Sequence, residues 1–285
     1  MPELVLVCKF DARVGVETML ITGITISVNY GPLLSITLGR NMRHMCECLV
    51  ITSPEDTETQ AVAHSTPGVR LHITDAFTRH GARFNKGLAF EEGFDLLGRE
   101  QAGRLLIWDA DILFPSEMPL SLFRPGCLHG ARRRVLFDPT KWTPDLNWRS
   151  CPLNHDGGPI GFCQLFDASD PALAGKRPWY DVSFAHAGGG DAFFMGHWTP
   201  DKKRMLPIEV LHLGPVDSHW FGTSPDAIDM MAAFVIRNGW SRAAAKHDKT
   251  AVDRVGEIQE RVQVPGYDAS TFELPFVRRA KSRQA

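Results

Sequence analysis

Short apolar runs rich in β-branched residues alternate with stretches of helical spacing through the first half of the chain. Gly23-Ile24-Thr25-Ile26-Ser27-Val28 carries the stiff side chains that suit a sheet, and Asn29-Tyr30-Gly31-Pro32 breaks it. Pro32 suits the first turn of a helix, where its missing N–H costs little. Residues 33–41 are therefore expected to be helical, with the next strand over 48–52. Ser53-Pro54-Glu55-Asp56-Thr57-Glu58 predicts a second helix entry, with Ser53 as cap, Pro54 in first position and the acids at its positive end. Residues 4–8 and 69–74 read as further short strands. Over 86–97, Leu88, Phe94 and Leu97 share parts of one helical face despite the glycines. Residues 104–108 form a mostly apolar strand that ends at Asp109.

This alternation predicts an α/β layered domain with a mixed, mainly parallel central sheet. Ligands of such sheets gather outside the carboxyl ends of the strands, where Asp109-Ala110-Asp111 falls. The second half is less regular. Residues 138–144 and 152–161 are turn-rich, Gly188-Gly189-Gly190 forms a bend, and 208–213 resemble a strand ending in Gly214-Pro215. Ser224 can cap a helix carrying Ile228, Met231, Ala232 and Val235 on one face, and a charged tail follows His247. The expected organisation is an N-terminal extension or added strand over 1–23, the layered domain over 24–222, and a helix with its tail over 223–285.

A chain of 285 residues, 44% hydrophobic, can bury the core of one large domain, although two smaller ones also fit. The formal net charge of -2 gives no general attraction for nucleic acid or an anionic membrane, and leaves room for a local basic groove. The six cysteines are too sparse for a small secreted disulfide framework, and Cys46 and Cys48 have no second close pair to complete a zinc pattern. Glu3, Lys9 and Asp11 interrupt the basic-then-apolar order of a signal peptide, and the apolar stretch 19–26 is too short to span a bilayer. A cytoplasmic protein without a transmembrane segment is the expectation.

Asp109 and Asp111 can approach one oxygen-seeking cation, and Mg²⁺ or Mn²⁺ suits both carboxylates and diphosphate oxygens. A pair of turn or helix caps is the plainer reading of an Asp-x-Asp triplet. The apolar segments on either side favour the metal, because burying such carboxylates without partners is costly. His212, at the end of its strand, can add an imidazole ligand or make a structural hydrogen bond; His197 and His219 are alternatives. Asp191 follows the glycine bend and can act as a base, orient a sugar or cap the next helix, with Asp167 and Asp170 as weaker acids. Asn85 and Lys86 can bind a phosphate or ribose, or Lys86 is an ordinary exposed helix residue. Trp179, Tyr180, Trp198 and Trp220 can stack on a sugar or base, or fill the core. Arg132-Arg133-Arg134 reads as a solvated face before it reads as an anion site.

The ordered combination resembles a GT-A-type glycosyltransferase, family 2-like, of the predicted bacterial and phage-associated group. It is carried by Ile26-Ser27-Val28-Asn29-Tyr30, the stretch 49–60, Phe84-Asn85-Lys86-Gly87, Trp108-Asp109-Ala110-Asp111-Ile112 and His212-Leu213-Gly214-Pro215. The resemblance implies a GT-A-like domain whose first half binds a nucleotide sugar and whose second half shapes the acceptor site. It implies Mn²⁺ or Mg²⁺ on Asp111, Asp109 on the metal or the donor ribose, and His212 as a further ligand. It places Asn29 and Tyr30 in the first nucleotide-binding loop, Asp56 near the uracil or ribose, and Asp191 as the base of an inverting reaction. Asp191 lacks the second acidic neighbour common in that motif, and residues 1–23 precede the shared region, as an added strand, an unusual terminus or a misplaced start.

The expected reaction moves a sugar from a uridine-linked donor to a hydroxyl of a glycan, a lipid-linked acceptor or a protein. Nucleotidyl transfer that makes a nucleotide sugar could use the same aspartates, but the early glycine-rich, arginine-containing loop of those enzymes is missing. A non-catalytic sugar-binding or assembly protein on a degenerate transferase fold is the third reading.

Overall fold

The computed structural model describes residues 20–154, 158–184, 187 and 190–214. In chain order the elements are β1 (Ile21–Ile26), α1 (Gly31–Asn41), β2 (Glu47–Thr52), α2 (Thr57–Ser65), β3 (Val69–Ile73), α3 (Lys86–Leu96), β4 (Arg104–Trp108) and β5 (Ile112–Leu113). They continue with β6 (Leu128–Leu136), β7 (Leu153–Asn154), β8 (Cys163–Asp167), α4 (Gly190–Met195) and β9 (Lys203–Leu213). The strands form one mixed sheet in the order β3-β2-β1-β4-β8-β6-β9-β5, with β7 beside β6. Strands β3, β2, β1 and β4 run parallel, as do β6 and β9; β8 joins the two parallel groups by antiparallel pairing. The expected α/β layering around a mainly parallel sheet is what the chain builds.

Side-chain alternation along the central strands sends apolar groups to both faces, so both must be covered. Cys48, Val50, Leu106, Trp108, Cys163 and Leu165 pack with Leu34 and Leu38 of α1 and Ala63 of α2. Leu49, Ile51, Leu105, Ile107 and Phe166 face Phe90 and Phe94 of α3. Trp179, Tyr180 and Trp198 join this second cluster and are buried. Tyr180 stacks on Phe194 at 4.8 Å between ring centres, and Trp198 Nε1 donates to Asp170 at 2.9 Å. These three aromatics are core, not a sugar platform. Trp220 and His219 lie outside the described residues, as do residues 4–8, Gly188 and Gly189, and the expected helix at Ser224 with its tail.

Several boundaries differ from the sequence expectation. The first strand is Ile21–Ile26, so it opens within the stretch assigned to the extension and ends two residues early; Ser27 is held by its N–H to Ile51 O at 3.0 Å. The cap of α2 is Asp56 rather than Ser53, since Ser53 and Asp56 close a turn before the helix and Asp56 accepts from Thr59 N. Of the arginine triplet, Arg132 is solvated, its side chain 52% exposed, and the other two are not. The triplet lies on β6, where Arg132 and Arg134 reach Glu209 of β9, while Arg133 turns to the other face, buried over the Phe162 ring. A period of two splits three adjacent charges between the faces. Asp167 pairs with Arg104, and Asp170 caps a turn at Ala172 N.

Cys48, Cys127, Cys151 and Cys163 are buried thiols outside any disulfide; burial pushes the Cys48 and Cys163 thiols up to about 12. Among the described residues no helix is long and apolar enough to cross a membrane.

Candidate functional site

Because β1, β2, β3 and β4 are parallel, their carboxyl ends share one edge, and α1, α2 and α3 begin from that edge. Helix N-termini there present partial positive charge to an anion. Residues 27–30, Asp56, Asn85, Lys86 and Asp109 therefore belong to the same rim of the sheet.

Strand β4 delivers Asp109, and one turn later Asp111 enters β5. The turn is held by Ile112 N to Asp109 O at 3.0 Å. Helix α1 clamps it from the side: Thr37 Oγ1 donates to Ala110 O at 2.6 Å, Asn41 Nδ2 to Ile112 O at 2.8 Å, and Phe114 N to Asn41 Oδ1 at 3.0 Å. Thr37 and Asn41 are fully buried and four residues apart, so they lie on one helical face. Sequence reasoning missed both. The available signal was a pair of polar residues on the apolar side of a helix, where each must find a partner. Asn41→Leu leaves a buried N–H and C=O unpaired at the turn that carries the aspartates. It is expected to destabilise the protein by roughly 2–4 kcal/mol, or a thermal midpoint about 5–12 °C lower. Calorimetry of both proteins checks this; an unchanged midpoint would remove the clamp.

His212 reaches the aspartates through the sheet. Ile112 pairs with His212 in the β5–β9 ladder, and Leu213 N donates to Asp111 O at 2.9 Å. His212 Nδ1 lies 2.8 Å from Gly214 O, and a carbonyl only accepts, so Nδ1 carries the proton. In the neutral ring Nε2 is then a bare lone pair, 3.6 Å from Asp111 Oδ2. Both side chains are buried, and Asp111 Oδ1 has no hydrogen-bond partner among the described residues. Burial pushes the Asp111 carboxyl up and Asp109 adds to that, against the opposing influence of His212 and Arg133.

Asp109 has a different partner. Lys86 Nζ donates to its Oδ1 at 2.8 Å; the lysine side chain is largely buried and the aspartate about a third exposed, at 16% and 35%. Burial raises the Asp109 carboxyl, but the Lys86 ammonium overrides it, with help from His212 and Arg133, and holds the group below its ordinary value. Burial works against the Lys86 charge in turn, and Asp109, Asp191 and Asp111 outweigh it, so the ammonium is held above its ordinary value. Lys86 is thus not an ordinary exposed helix residue. Arg133, whose charge acts on both aspartates, is a second cation that sequence reasoning did not single out for this site.

Tyr30 precedes α1, and burial, then the charges of Asp111 and Asp109, push its phenol well above the ordinary value. Asn29 holds a left-handed backbone at φ 59°, which asparagine tolerates, and its N–H donates to Asp56 Oδ2 at 2.5 Å. Asp56 also accepts from Thr52 Oγ1 and Thr59 N, so its buried carboxylate ties the ends of β1 and β2 to α2. Asn85 caps α3 at Leu88 N and donates to Val182 O, which engages both ends of its amide within the protein. Asp191, in α4, accepts from Gly161 N at 3.2 Å, and its charge is felt by Lys86. His197 sits away from these groups, 2.9 Å from Trp179 O and edge-on to Phe193.

Among the described residues no group of three His, Cys, Asp or Glu side chains is arranged to hold a metal ion. Two donors do converge, since Asp111 and His212 face each other with an orphaned carboxylate oxygen. Asp109 would be the third, with Lys86 on its Oδ1.

By sequence, neither a family profile nor a curated protein matches the chain. Among solved structures, the chain is similar to a 4-diphosphocytidyl-2C-methyl-D-erythritol synthase from Anaerococcus prevotii DSM 20548. The identity is 14% and the TM-score 0.38, over 77% of this chain and 97% of that one. It is also similar to the inositol-1-phosphate CTP transferase from T. maritima at 9% identity and a TM-score of 0.41, over 76% and 97% of the two chains. These are likenesses of chain course alone.

Proposed function

We propose that the chain is a metal-dependent glycosyltransferase that moves a sugar from a nucleoside-diphosphate donor to a hydroxyl acceptor. The observation that carries this reading is the meeting of Asp111 Oδ2 with Nε2 of His212 at the carboxyl edge of the sheet, 3.6 Å apart. Two buried side chains of metal-ligand type that face each other, with one carboxylate oxygen left over, suit a shared cation. A Mn²⁺ or Mg²⁺ ion held there, with Asp109 beside it, would neutralise charge on the leaving diphosphate.

The protein's own groups supply the rest. Lys86 offers a buried ammonium to the phosphates, and the ends of α1 and α3 favour the same anion. Tyr30 and Asn29 line the first loop against the nucleoside, and Asp56 and Asn85 hold the surrounding backbone in place. In an inverting reaction, Asp191 accepts the proton of the attacking hydroxyl while the bond between the anomeric carbon and the diphosphate oxygen breaks. A uridine-linked donor and a glycan, lipid-linked or protein acceptor follow from the resemblance.

Nucleotidyl transfer is the second reading, and the CTP transferase named above is of that class. Its specific support in this chain is Lys86, since a buried lysine beside the metal carboxylates also suits a triphosphate. Against it, the segment between β1 and α1 reads Ser27-Val28-Asn29-Tyr30, without a glycine-rich, arginine-containing loop. One pair of assays separates the readings. A panel of nucleotide sugars with Mn²⁺ or Mg²⁺ is monitored for nucleoside diphosphate, and nucleoside triphosphates with sugar 1-phosphates are monitored for pyrophosphate. Nucleoside diphosphate release supports glycosyl transfer, whereas pyrophosphate release replaces it with nucleotidyl transfer. Nucleotide-sugar binding without either product leaves the binding or assembly protein.

A further inference from the structure

We infer that Gln164 is a positioning residue for Asp191: together with Tyr180 it fixes the turn at 158–162, whose Gly161 N–H aims the Asp191 carboxylate. This role rests on the functional reading above, in which Asp191 accepts the proton of the attacking hydroxyl. Gln164 stands in the middle of β8, opposite Ile107 of β4, with no exposed surface. Its neighbours on the strand, Leu165 and Phe166, belong to the two apolar layers on either side of the sheet. Packing alone does not call for an amide there, and burying one is costly unless both of its ends are paired. Gln164 Nε2 donates to Pro159 O at 2.9 Å, and its Oε1 accepts from the Tyr180 hydroxyl at 2.6 Å.

These contacts close a ring. From Pro159 the turn runs on to Gly161, whose N–H donates to Asp191 Oδ2 at 3.2 Å, and Asp191 lies in α4 between Gly190 and Phe194. Tyr180 returns to that helix: its ring stacks on Phe194, and a Cβ added at Gly190 would lie 3.3 Å from it. Gly161 and Gly130 leave no slack, since a Cβ at Gly161 would lie 2.8 Å from Asp191 Cβ, and one at Gly130 2.4 Å from Pro159 Cα. The same turn is tied to the strand edge, because Asp109 N donates to Phe162 O at 3.4 Å. One turn therefore sets Asp191 relative to Asp109. The other Asp191 oxygen accepts from Ala192 N, so each oxygen keeps a further lone pair for a hydroxyl. Without the Gln164 amide, Pro159 O is released and the base drifts from the line of attack, where a displacement of about 1 Å already costs activity.

The test uses the full chain with Gln164→Met and Tyr180→Phe, each alone and combined with Asp191→Asn. Hydrogen exchange at the Gly161 amide, read by NMR without any ligand, should quicken about 10-fold or more in Gln164→Met. Nucleoside diphosphate release from a panel of nucleotide sugars with Mn²⁺ or Mg²⁺ should fall about 10- to 100-fold. Donor affinity should change by less than about 3-fold. In the Asp191→Asn background the same substitution should lower the remaining turnover by less than about 3-fold, since no base is left to misplace. Tyr180→Phe keeps the ring on Phe194 and removes only the hydroxyl, so it repeats the pattern at smaller size if Gln164→Met folds poorly. An equal loss with and without Asp191 makes Gln164 a packing residue and overturns the inference, as does unchanged exchange at Gly161. Absence of release from every nucleotide sugar in the wild type overturns the functional reading instead, and the exchange measurement still decides whether Gln164 holds the turn.

Discussion

Asp111→Asn is expected to lower turnover by roughly 10³-fold while making the protein itself harder to melt. The two effects share one cause. In the folded chain Asp111 is buried, one of its oxygens lacks a hydrogen-bond partner among the described residues, and the other faces Nε2 of His212 at 3.6 Å. Burial raises this carboxyl, so its contribution favours folding at low pH and is lost as the pH rises through the raised value. At neutral pH the charge is therefore a cost, and asparagine removes it. The new amide can also donate to His212 Nε2. In metal-stripped buffer the expected gain is about 1–2 kcal/mol, read as a melting midpoint a few degrees higher. Mn²⁺ with UDP should raise the midpoint of the wild type and not that of the variant. Wild-type turnover by Asp111→Asn across metal concentrations would end its assignment as a ligand, and a lower midpoint would show that the carboxylate is structural.

Asp191→Asn carries the second large effect. The carboxylate accepts from Gly161 N, a contact that the isosteric amide oxygen preserves, so α4 should keep its place against the turn before β8. What disappears is the ability to accept a proton. Turnover should fall by about 10²–10⁴-fold, with the dissociation constant of the donor changed by less than about threefold, and the melting midpoint within a degree or two. Parallel measurement of donor binding and nucleoside diphosphate release checks the split. Equal turnover by the variant and wild type would remove Asp191 as base and favour an orienting or capping role.

Much of the first half was legible because its signals are local. The β-branched runs of β1 and β2, the break at Asn29 to Pro32 and the apolar stretch of β4 each declare an element within a few residues. Errors arose where two local solutions were chemically equivalent: Ser53 and Asp56 are both good caps, and only the turn between them decides for Asp56. The second half depends on partners far along the chain. Nothing near Arg132, Arg133 and Arg134 shows that Glu209 will neutralise two of them and that the third will turn inward. Strands β6 and β8 were invisible for the same reason. Trp179, Tyr180 and Trp198 have the chemistry of a sugar platform, and only their packing against Phe90, Phe94, Phe166 and Phe194 makes them core. At the site, Asp109, Asp111 and His212 could be proposed from their positions at strand ends. Thr37 and Asn41 showed in the sequence only as polar residues on an apolar helix face, and their partners and the ion pair of Lys86 with Asp109 required the fold.

Strand β9 lies between β6 and β5, and its last residues bring His212 to Asp111. On the ribosome, both aspartates emerge long before that strand is made. A growing chain can therefore pair β1, β2, β3 and β4 early, yet it cannot present the Asp111–His212 pair until β9 has threaded into the sheet. Such late, distant pairing is the slow part of building a sheet. The consequence is an Asp111–His212 pair that does not exist in partially folded chains.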